Sequence, residues 1–494
     1  MPTPDLILAI DQGTTGSTAM LIDHESRVVA SHNQEYPNYF PAPGLVEHDP
    51  EEIWGSVGAT VGAVLSGVHP SRIAAIGITN QRETSLFWDA KTGRAAGRAL
   101  VWQDRRTAAR CEQLRADGWE DRVRARTGLV LDPYFSGTKA EWMLQNVQGV
   151  REGATSGALR YGTIDSFVAW KLTGRHVTDP SNASRTLLYD IHRGAWDEEL
   201  LALFGVPGPC LAEVVDNAGC FGHTRGVGFL PDGIPVAGLA GDQQSALFGQ
   251  ACFSPGEAKC TYGTGAFLLI NTGEKAVPSN TGLLTTIAWR LGGKTTYALE
   301  GSAFVAGAAV QWLRDGLGII QSSSEVEALA RTVADNGGVS FVPALAGLGA
   351  PHWRPDARGL LCGLTRGSGR GHIARAVLEG IALQITDILG AMDADSRANG
   401  GGSLAALKVD GGASKNDLLM AFQADVLGVP CARPRNLETT AMGAAYLAGL
   451  GVGFWAGLDD VRAAWAEDQT YTPAMSAEER SLRKQVWRAA VARA

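Results

Sequence analysis

The sequence predicts an α/β protein of two large domains, and three observations predict it. The chain has 494 residues, beyond the size at which a single core stops growing. A strand–turn–strand pattern with a Gly/Thr tip occurs twice, as LILAIDQGTTGSTAMLIDHES in 6–26 and as AKCTYGTGAFLLINTGE in 258–274. Short apolar runs and helix-period segments follow each copy, which suits a strand hairpin plus α/β crossovers rather than a simple barrel. Two small-residue tips that present N–H and hydroxyl groups suit phosphate oxygens. A nucleotide gripped from two sides is the expectation.

Taken in order, residues 6–10 and 18–22 read as strands around the first tip. Apolar residues at helical spacing over 51–65 predict a helix. IAAIGIT (73–79) reads as a buried strand that runs into Asn80-Gln81-Arg82-Glu83, and 84–88 as another strand. PVAGLA (235–240) predicts a strand leading to Gly241-Asp242, with a helix over 242–250. Ser254-Pro255-Gly256 marks a break, which places the boundary near 245–257 and divides the chain into domains 1–250 and 251–494. The second half opens with the 258–272 hairpin. Gly292-Gly293 between 286–291 and 295–300 predicts another hairpin. Val377, Leu378, Ile381, Ile385 and Ile388 share one face of a helix over 375–389. A short strand at 407–409 precedes Asp410-Gly411-Gly412, and helices follow over 417–427 and 439–450.

Composition narrows the function. The net charge of −8 comes without a basic block, which disfavours nucleic acid as a main partner. Seven scattered cysteines with no CxxC pair fit a reducing compartment and buried thiols. No signal peptide and no apolar run long enough to span a membrane is read, so the expectation is a cytoplasmic protein without membrane insertion. The sequon at Asn182 then reads as a turn. Gly293-Lys294-Thr295 mimics the end of a P-loop, but position 288 is Ala where the first Gly belongs. The histidines are too dispersed for a metal cluster, and no GxSxG elbow occurs.

The candidate site residues come from the segments between these elements. In Asp11-Gln12-Gly13-Thr14-Thr15-Gly16, glycines allow close backbone approach and Asp11 ends a strand, where a carboxylate can hold Mg²⁺ through water. Thr261-Tyr262-Gly263-Thr264-Gly265 is uncharged and gains meaning as the echo of the first turn. Asp242 can serve as a general base or as a helix N-cap. Arg82 beside Glu83 suits a polyhydroxyl substrate if the strand has ended there. Trp102 and Tyr134-Phe135 can supply apolar cover and a hydroxyl, or belong to the core. In Asp410-Gly411-Gly412-Ala413-Ser414-Lys415-Asn416, small residues permit approach of a base and ribose, Asn416 can bond the base, and Ser414 is the candidate cap.

These segments resemble the FGGY carbohydrate kinase family from about residue 6 to 456. The likeness rests on AIDQGTTGSTA (9–19), GLVEHDPEEIW (44–54), GITNQRET (77–84), DPYFSGTK (132–139), TDPSNASRTLL (178–188), AGDQQSALFGQ (240–250), TYGTGAFLLINTGE (261–274), ALEGSAFVAGAAVQWLRD (298–315), GLGAPHW (347–353) and VDGGASKN (409–416). ITNQRET together with AGDQQ is similar to the glycerol-phosphorylating branch. The resemblance implies two ribonuclease-H-like, actin-like ATPase domains flanking a central cleft, and phosphorylation of glycerol by ATP with Mg²⁺. It implies that Arg82, Glu83, Tyr134 and Asp242 bind the glycerol hydroxyls with help from Gln243, that Trp102 and Phe267 pack on the carbon chain, and that Asp242 is the general base. It implies Thr14, Thr15 and Thr264 at the phosphates, Asp11 and Asp242 at the metal, and Gln311, Gly411 and Asn416 around the nucleotide. A homodimer or homotetramer is the family habit. Thr18 departs from the pattern, which often carries Arg there, so weaker nucleotide binding or slower turnover is expected. The segment 226–238 lacks the regulatory His of some relatives, and their basic loop for fructose 1,6-bisphosphate has no counterpart. The alternatives in view are a kinase for a ketopentose or erythritol, and an actin-like scaffold with a vestigial ATPase.

Overall fold

The computed structural model describes residues 4–400 and 402–494. They form two compact units. The first holds the chain up to Ala251 together with Thr285–Tyr297 and Thr439–Trp465, and the second holds Cys252–Leu284, Ala298–Glu438 and Ala466–Ala494.

The first unit is built on a six-stranded sheet in the order Ala218–His223, Pro235–Gly241, Ile73–Asn80, Leu6–Gln12, Gly16–Asp23, Val28–Glu35. Pro235–Gly241, Ile73–Asn80 and Leu6–Gln12 run parallel, and both faces of these strands are covered, which is why they read as continuous apolar runs. Leu6, Leu8 and Ile10 share a core with Ile53, Val57 and Val61 of the helix Pro50–Val64 and with Phe167, Val168 and Leu172 of the helix Ile164–Thr173. Asp49 caps the first of these helices at the Glu51 N–H, with Pro50 at its first position. The opposite face carries a row of small residues in register, Ala9, Gly77 and Gly238. On that row lies the helix Thr439–Gly451, so close that a Cβ on Gly238 would stand 2.5 Å from the Ala448 nitrogen.

Register positions the site. Gln12, Asn80 and Gly241 are aligned across the three parallel strands. The turn 13–15, the segment 81–83 and the helix Asp242–Gly249 therefore leave the sheet at one edge, the carboxyl end where open α/β sheets bind their ligands.

The second unit repeats the plan. Glu257–Tyr262 pairs antiparallel with Ala266–Gly273 and parallel with Ala406–Asp410. Thr261 lies opposite Asp410, so the 263–265 turn and the segment after Asp410 leave from the same edge. The helix Arg370–Ala398 covers this unit's core with Val377, Leu378, Ile381, Ile385 and Ile388, all buried, the face that the 3.6-residue period marks.

Two expectations change, the helix cap after Asp410 and the turn at Asn182, and the compact units are discontinuous along the chain. The compact units do not follow one cut in the chain, because 285–297 and 439–465 belong with the first unit. The helix Thr439–Gly451 is apolar on every side and needs cover all round, which the sheet and the helix Asp242–Gly249 supply. The cap of the helix Asp417–Leu427 is Asn416, whose Oδ1 accepts from the Leu419 N–H at 2.9 Å, while Ser414 donates to the Gly411 carbonyl. Asn182 is buried in the short helix Pro180–Ala183, where Asn80 and Asp179 hold its amide. All seven cysteines are free, five of them buried. No helix among the described residues is long and apolar enough to cross a membrane.

Candidate active site

At the sheet edge of the first unit, the strand Ile73–Asn80 has ended before Arg82 and Glu83. Glu83 takes a left-handed backbone conformation, φ 61°. For a residue with a Cβ that conformation costs about 1–2 kcal/mol. It is offset by contacts that hold it. Ser136 Oγ donates to the Glu83 carbonyl at 2.8 Å, and Arg185 Nε donates to Glu83 Oε1 at 2.6 Å. Arg82 Nε lies 3.9 Å from the same Oε1 and 3.0 Å from Asp242 Oδ1. Arg82 also donates to Gln244 Oε1 at 3.2 Å. Both arginines and Glu83 are almost fully buried, whereas the Asp242 side chain is 31% exposed. Asp242 is thus the reachable end of a buried charge chain, Arg185–Glu83–Arg82–Asp242. It is the first residue of its helix, after the cap Gly241, and its Oδ1 accepts from the Gln243 N–H at 2.7 Å.

An aromatic wall stands beside this chain. Trp102 and Tyr134 meet edge to face at 5.5 Å, and the Arg185 guanidinium sits 5.2 Å from the Phe135 ring. Trp102 Nε1 donates to Thr14 Oγ1 at 2.9 Å, so the wall is tied directly to the first Gly/Thr turn. Lys139 is fully buried and donates to the carbonyls of Pro133 and Tyr134. Burial lowers its ammonium to about 8, against the pull of Asp104, Glu83 and Asp132.

Beneath the turn lies a polar cluster in which Gln12, His48 and Gln81 are buried. Burial holds the His48 imidazole down at about 4, so it is neutral at pH 7. Its Nδ1 faces Gln81 at 3.3 Å and its Nε2 faces Asn38 Oδ1 at 2.6 Å. Thr84 Oγ1 donates to Gln81 Oε1 at 2.8 Å and receives the Trp102 backbone N–H at 3.2 Å.

Of the residues singled out in the sequence, the first unit brings Thr14, Trp102, Tyr134, Arg82, Glu83, Asp242 and Gln243 to one edge, with Thr15 at the tip of the turn and Asp11 at the end of its strand. Asp11 lies on the strand Leu6–Gln12 and Asp242 directly follows the strand Pro235–Gly241, and these two strands are two spacings apart, about 10 Å. Mg²⁺ is held by one or two carboxylates plus phosphate oxygens and water, and two separated carboxylates at one edge fit that donor set. No group of three or more His, Cys, Asp or Glu side chains that could hold a metal occurs among the described residues.

In the second unit, Thr264 is exposed at its turn, and its carbonyl accepts from the Ala306 and Ala308 N–H groups at 2.9 Å. This ties the turn to the start of the helix Gly307–Asp315, which carries Gln311. Gly411 has φ 83°, and a Cβ there would lie 2.6 Å from the Tyr262 carbonyl oxygen. Phe267 lies on the strand Ala266–Gly273, opposite Thr261. Gly411 and Asn416 leave the sheet beside the 263–265 turn.

Sequence reasoning missed Arg185, Tyr36, His48 and Gln244. Arg185 had a signal, a lone cation in the small polar stretch 178–188. His48 stood in the quoted segment 44–54 but showed no partner there, and Tyr36 had no signal, because both reach the site through tertiary contacts with Gln12, Gly13 and Gln81.

The chain matches the family model described as FGGY family of carbohydrate kinases, N-terminal domain, over residues 6–249, and the C-terminal domain of the same family over residues 258–452. It is 55% identical over 500 residues to a glycerol kinase of Myxococcus xanthus, covering 100% of both chains. It is 57% identical over 491 residues to a glycerol kinase of Trichlorobacter lovleyi, covering 99% of this chain and 98% of that one. Among solved structures it is similar to Plasmodium falciparum glycerol kinase with ADP, with a TM-score of 0.94 at 38% identity over 99% of this chain and 98% of the other. A ligand-bound xylulose kinase from Lactobacillus acidophilus shares the fold, with a TM-score of 0.87 at 22% identity over 98% and 96%.

Proposed function

The chain belongs to the FGGY family of carbohydrate kinases, and from that premise we propose how it carries out ATP-dependent phosphorylation of glycerol to sn-glycerol 3-phosphate. The observation that carries the reading is the hydrogen bond from Trp102 Nε1 to Thr14 Oγ1. It joins a polyol-sized set of donors and acceptors to a phosphate-suited turn.

In this reading Arg82, Glu83, Tyr134 and Gln243 bind the glycerol hydroxyls, and Trp102 and Phe267 cover the carbon chain. Arg82 at 3.0 Å from Asp242 Oδ1 supports a fixed carboxylate orientation. Asp242 accepts the proton of the terminal hydroxyl as its oxygen attacks the γ-phosphorus in line. Thr14, Thr15 and Thr264 bind phosphate oxygens, and their turn amides offset charge on the transferring group. Gln311, Gly411 and Asn416 surround the rest of the nucleotide. Asp11 and Asp242 would hold Mg²⁺ through water, and the ion when bound neutralises phosphate charge. A polyol site of this kind discriminates strongly, since a missing hydroxyl leaves its buried partners unpaired, at roughly 10⁴-fold in kcat/KM. By the same family likeness, the protein works in the cytoplasm as a homodimer or homotetramer.

The test is product identification with ATP labelled in its γ-phosphoryl group and a panel of glycerol, D-xylulose and erythritol. Labelled sn-glycerol 3-phosphate formed at the highest kcat/KM is expected. Preferential labelling of D-xylulose or erythritol, or nucleotide hydrolysis without a phosphorylated polyol, would overturn the reading.

A further inference from the structure

The carbonyl of Gly13 is held from below by several donors at once. The Tyr36 hydroxyl donates to it at 2.5 Å, and Gln12 Nε2 approaches it at 2.7 Å. Gln81 Nε2 lies 3.2 Å away. The donors are themselves locked together. Gln12 Nε2 is 2.8 Å and Gln81 Nε2 3.0 Å from the Tyr36 oxygen, and Gln81 Nε2 is 3.0 Å from Gln12 Oε1. The backbone closes the frame, with Gly13 N–H on the Gly16 carbonyl at 2.9 Å, Tyr36 N–H on the Thr15 carbonyl at 3.3 Å and Gln81 N–H on the Gln12 carbonyl at 2.7 Å. Tyr36 is buried, and burial raises its phenol well above the ordinary range, so it stays protonated and donating throughout the working pH range.

A single carbonyl normally needs one partner, and convergence of this kind fixes the orientation of its peptide plane. In a trans peptide the C=O and the following N–H point in opposite directions. Holding the Gly13 oxygen down into the cluster therefore turns the Thr14 N–H outward, on the face of the turn away from the core. Thr14 Oγ1 is oriented separately by Trp102 Nε1. We propose that Tyr36, acting with Gln12 and Gln81 through the Gly13 carbonyl, is the positioning residue that sets the Thr14 amide for a nucleotide phosphate. This rests on the reading of the 13–15 turn as a phosphate site. Without that frame the glycine-containing turn samples other peptide orientations, and binding must then include the cost of selecting the right one.

The experiment compares MgADP and glycerol affinities of the full chain by calorimetry, beside ATP and glycerol steady-state kinetics. Tyr36→Phe removes the hydroxyl and keeps the ring. It should weaken MgADP binding roughly five- to tenfold, the size of one lost hydrogen bond, with a matching rise in KM for ATP and a glycerol affinity within about twofold of the parent. Gln12→Met should act in the same direction and serves if Tyr36→Phe does not fold. Combined with Tyr36→Phe it should cost less than the sum, because both act through one carbonyl. Unchanged MgADP affinity in both variants, or equal losses for MgADP and glycerol that track a lowered Tm, would overturn the proposal. A parent protein that binds MgADP but phosphorylates none of the polyols would refute the functional reading instead, and the affinity ratios would still decide this one.

Discussion

Asp242 has two neighbours that set its use, Arg82 Nε on one oxygen and the start of its own helix behind it. Asp242→Asn keeps the shape and removes the base. Steady-state assays should show kcat lower by about 10²–10⁴-fold with glycerol KM within a few-fold, and near-native turnover would refute the assignment. Thr18 faces Asp11 across the opening hairpin and receives a hydrogen bond from Asn33 Nδ2 at 2.9 Å. Thr18→Arg places a cation near the phosphate turn, so the KM for ATP should fall and glycerol KM should not. Arg185 shows the limit of reading residues from the sequence. Asp242, Arg82 and Glu83 were legible because each follows an apolar strand in a short polar run. Arg185 lies 102 positions from Glu83, and only folding makes it the counter-charge of that carboxylate.

At the scale of elements, the turn that carries Tyr134 is braced by the first helical turns after it. Lys139, on the helix Ser136–Asn146, binds the Pro133 and Tyr134 carbonyls from inside. Lys139→Met should raise the KM for glycerol more than that for ATP, as measured in paired titrations. A second element is under strain from charge. Asp165 on the helix Ile164–Thr173 is buried, with Asp179 nearby, and desolvation first and that second carboxylate next raise its pKa to about 7. An unfolded Asp titrates near 3.9, so the folded state binds the extra proton between these values. The stability this contributes is complete below about pH 4 and is lost as pH rises through about 7. Replacing Asp165 by Asn should remove that slope. The difference in Tm between variant and parent should grow from pH 5 to 7 and level off above, and a constant difference would contradict it. Most strands and helices were legible because burial on both faces or on one stripe leaves a period in the residues. The sequence reading put the cap at Ser414 and the structure has it at Asn416, since both residue types cap well and only the backbone decides which one stands at the helix start.

For the whole molecule, each unit offers a Gly/Thr tip beside a parallel strand whose end carries the next functional segment. Regulation is a property at this scale. The sequence carries no recognisable basic loop for a sugar bisphosphate, and titration with fructose 1,6-bisphosphate should leave turnover with glycerol unchanged. A dose-dependent fall would show that another surface does the work.

The residues alone determined the α/β class, the repeated hairpin and the family, because these rest on local periods and on short motifs whose spacing survives along the chain. Tertiary structure decided which distant side chains complete the site and which segments complete each unit. The helix Thr439–Gly451 joins the first unit because an all-apolar helix finds its cover there, on the small-residue row Ala9–Gly77–Gly238 and on the helix Asp242–Gly249. Tyr36 and Gln81 hold Gly13 because strand register brings three separate stretches to one carbonyl. Such pairings depend on packing between remote parts of the chain, and no local pattern encodes them.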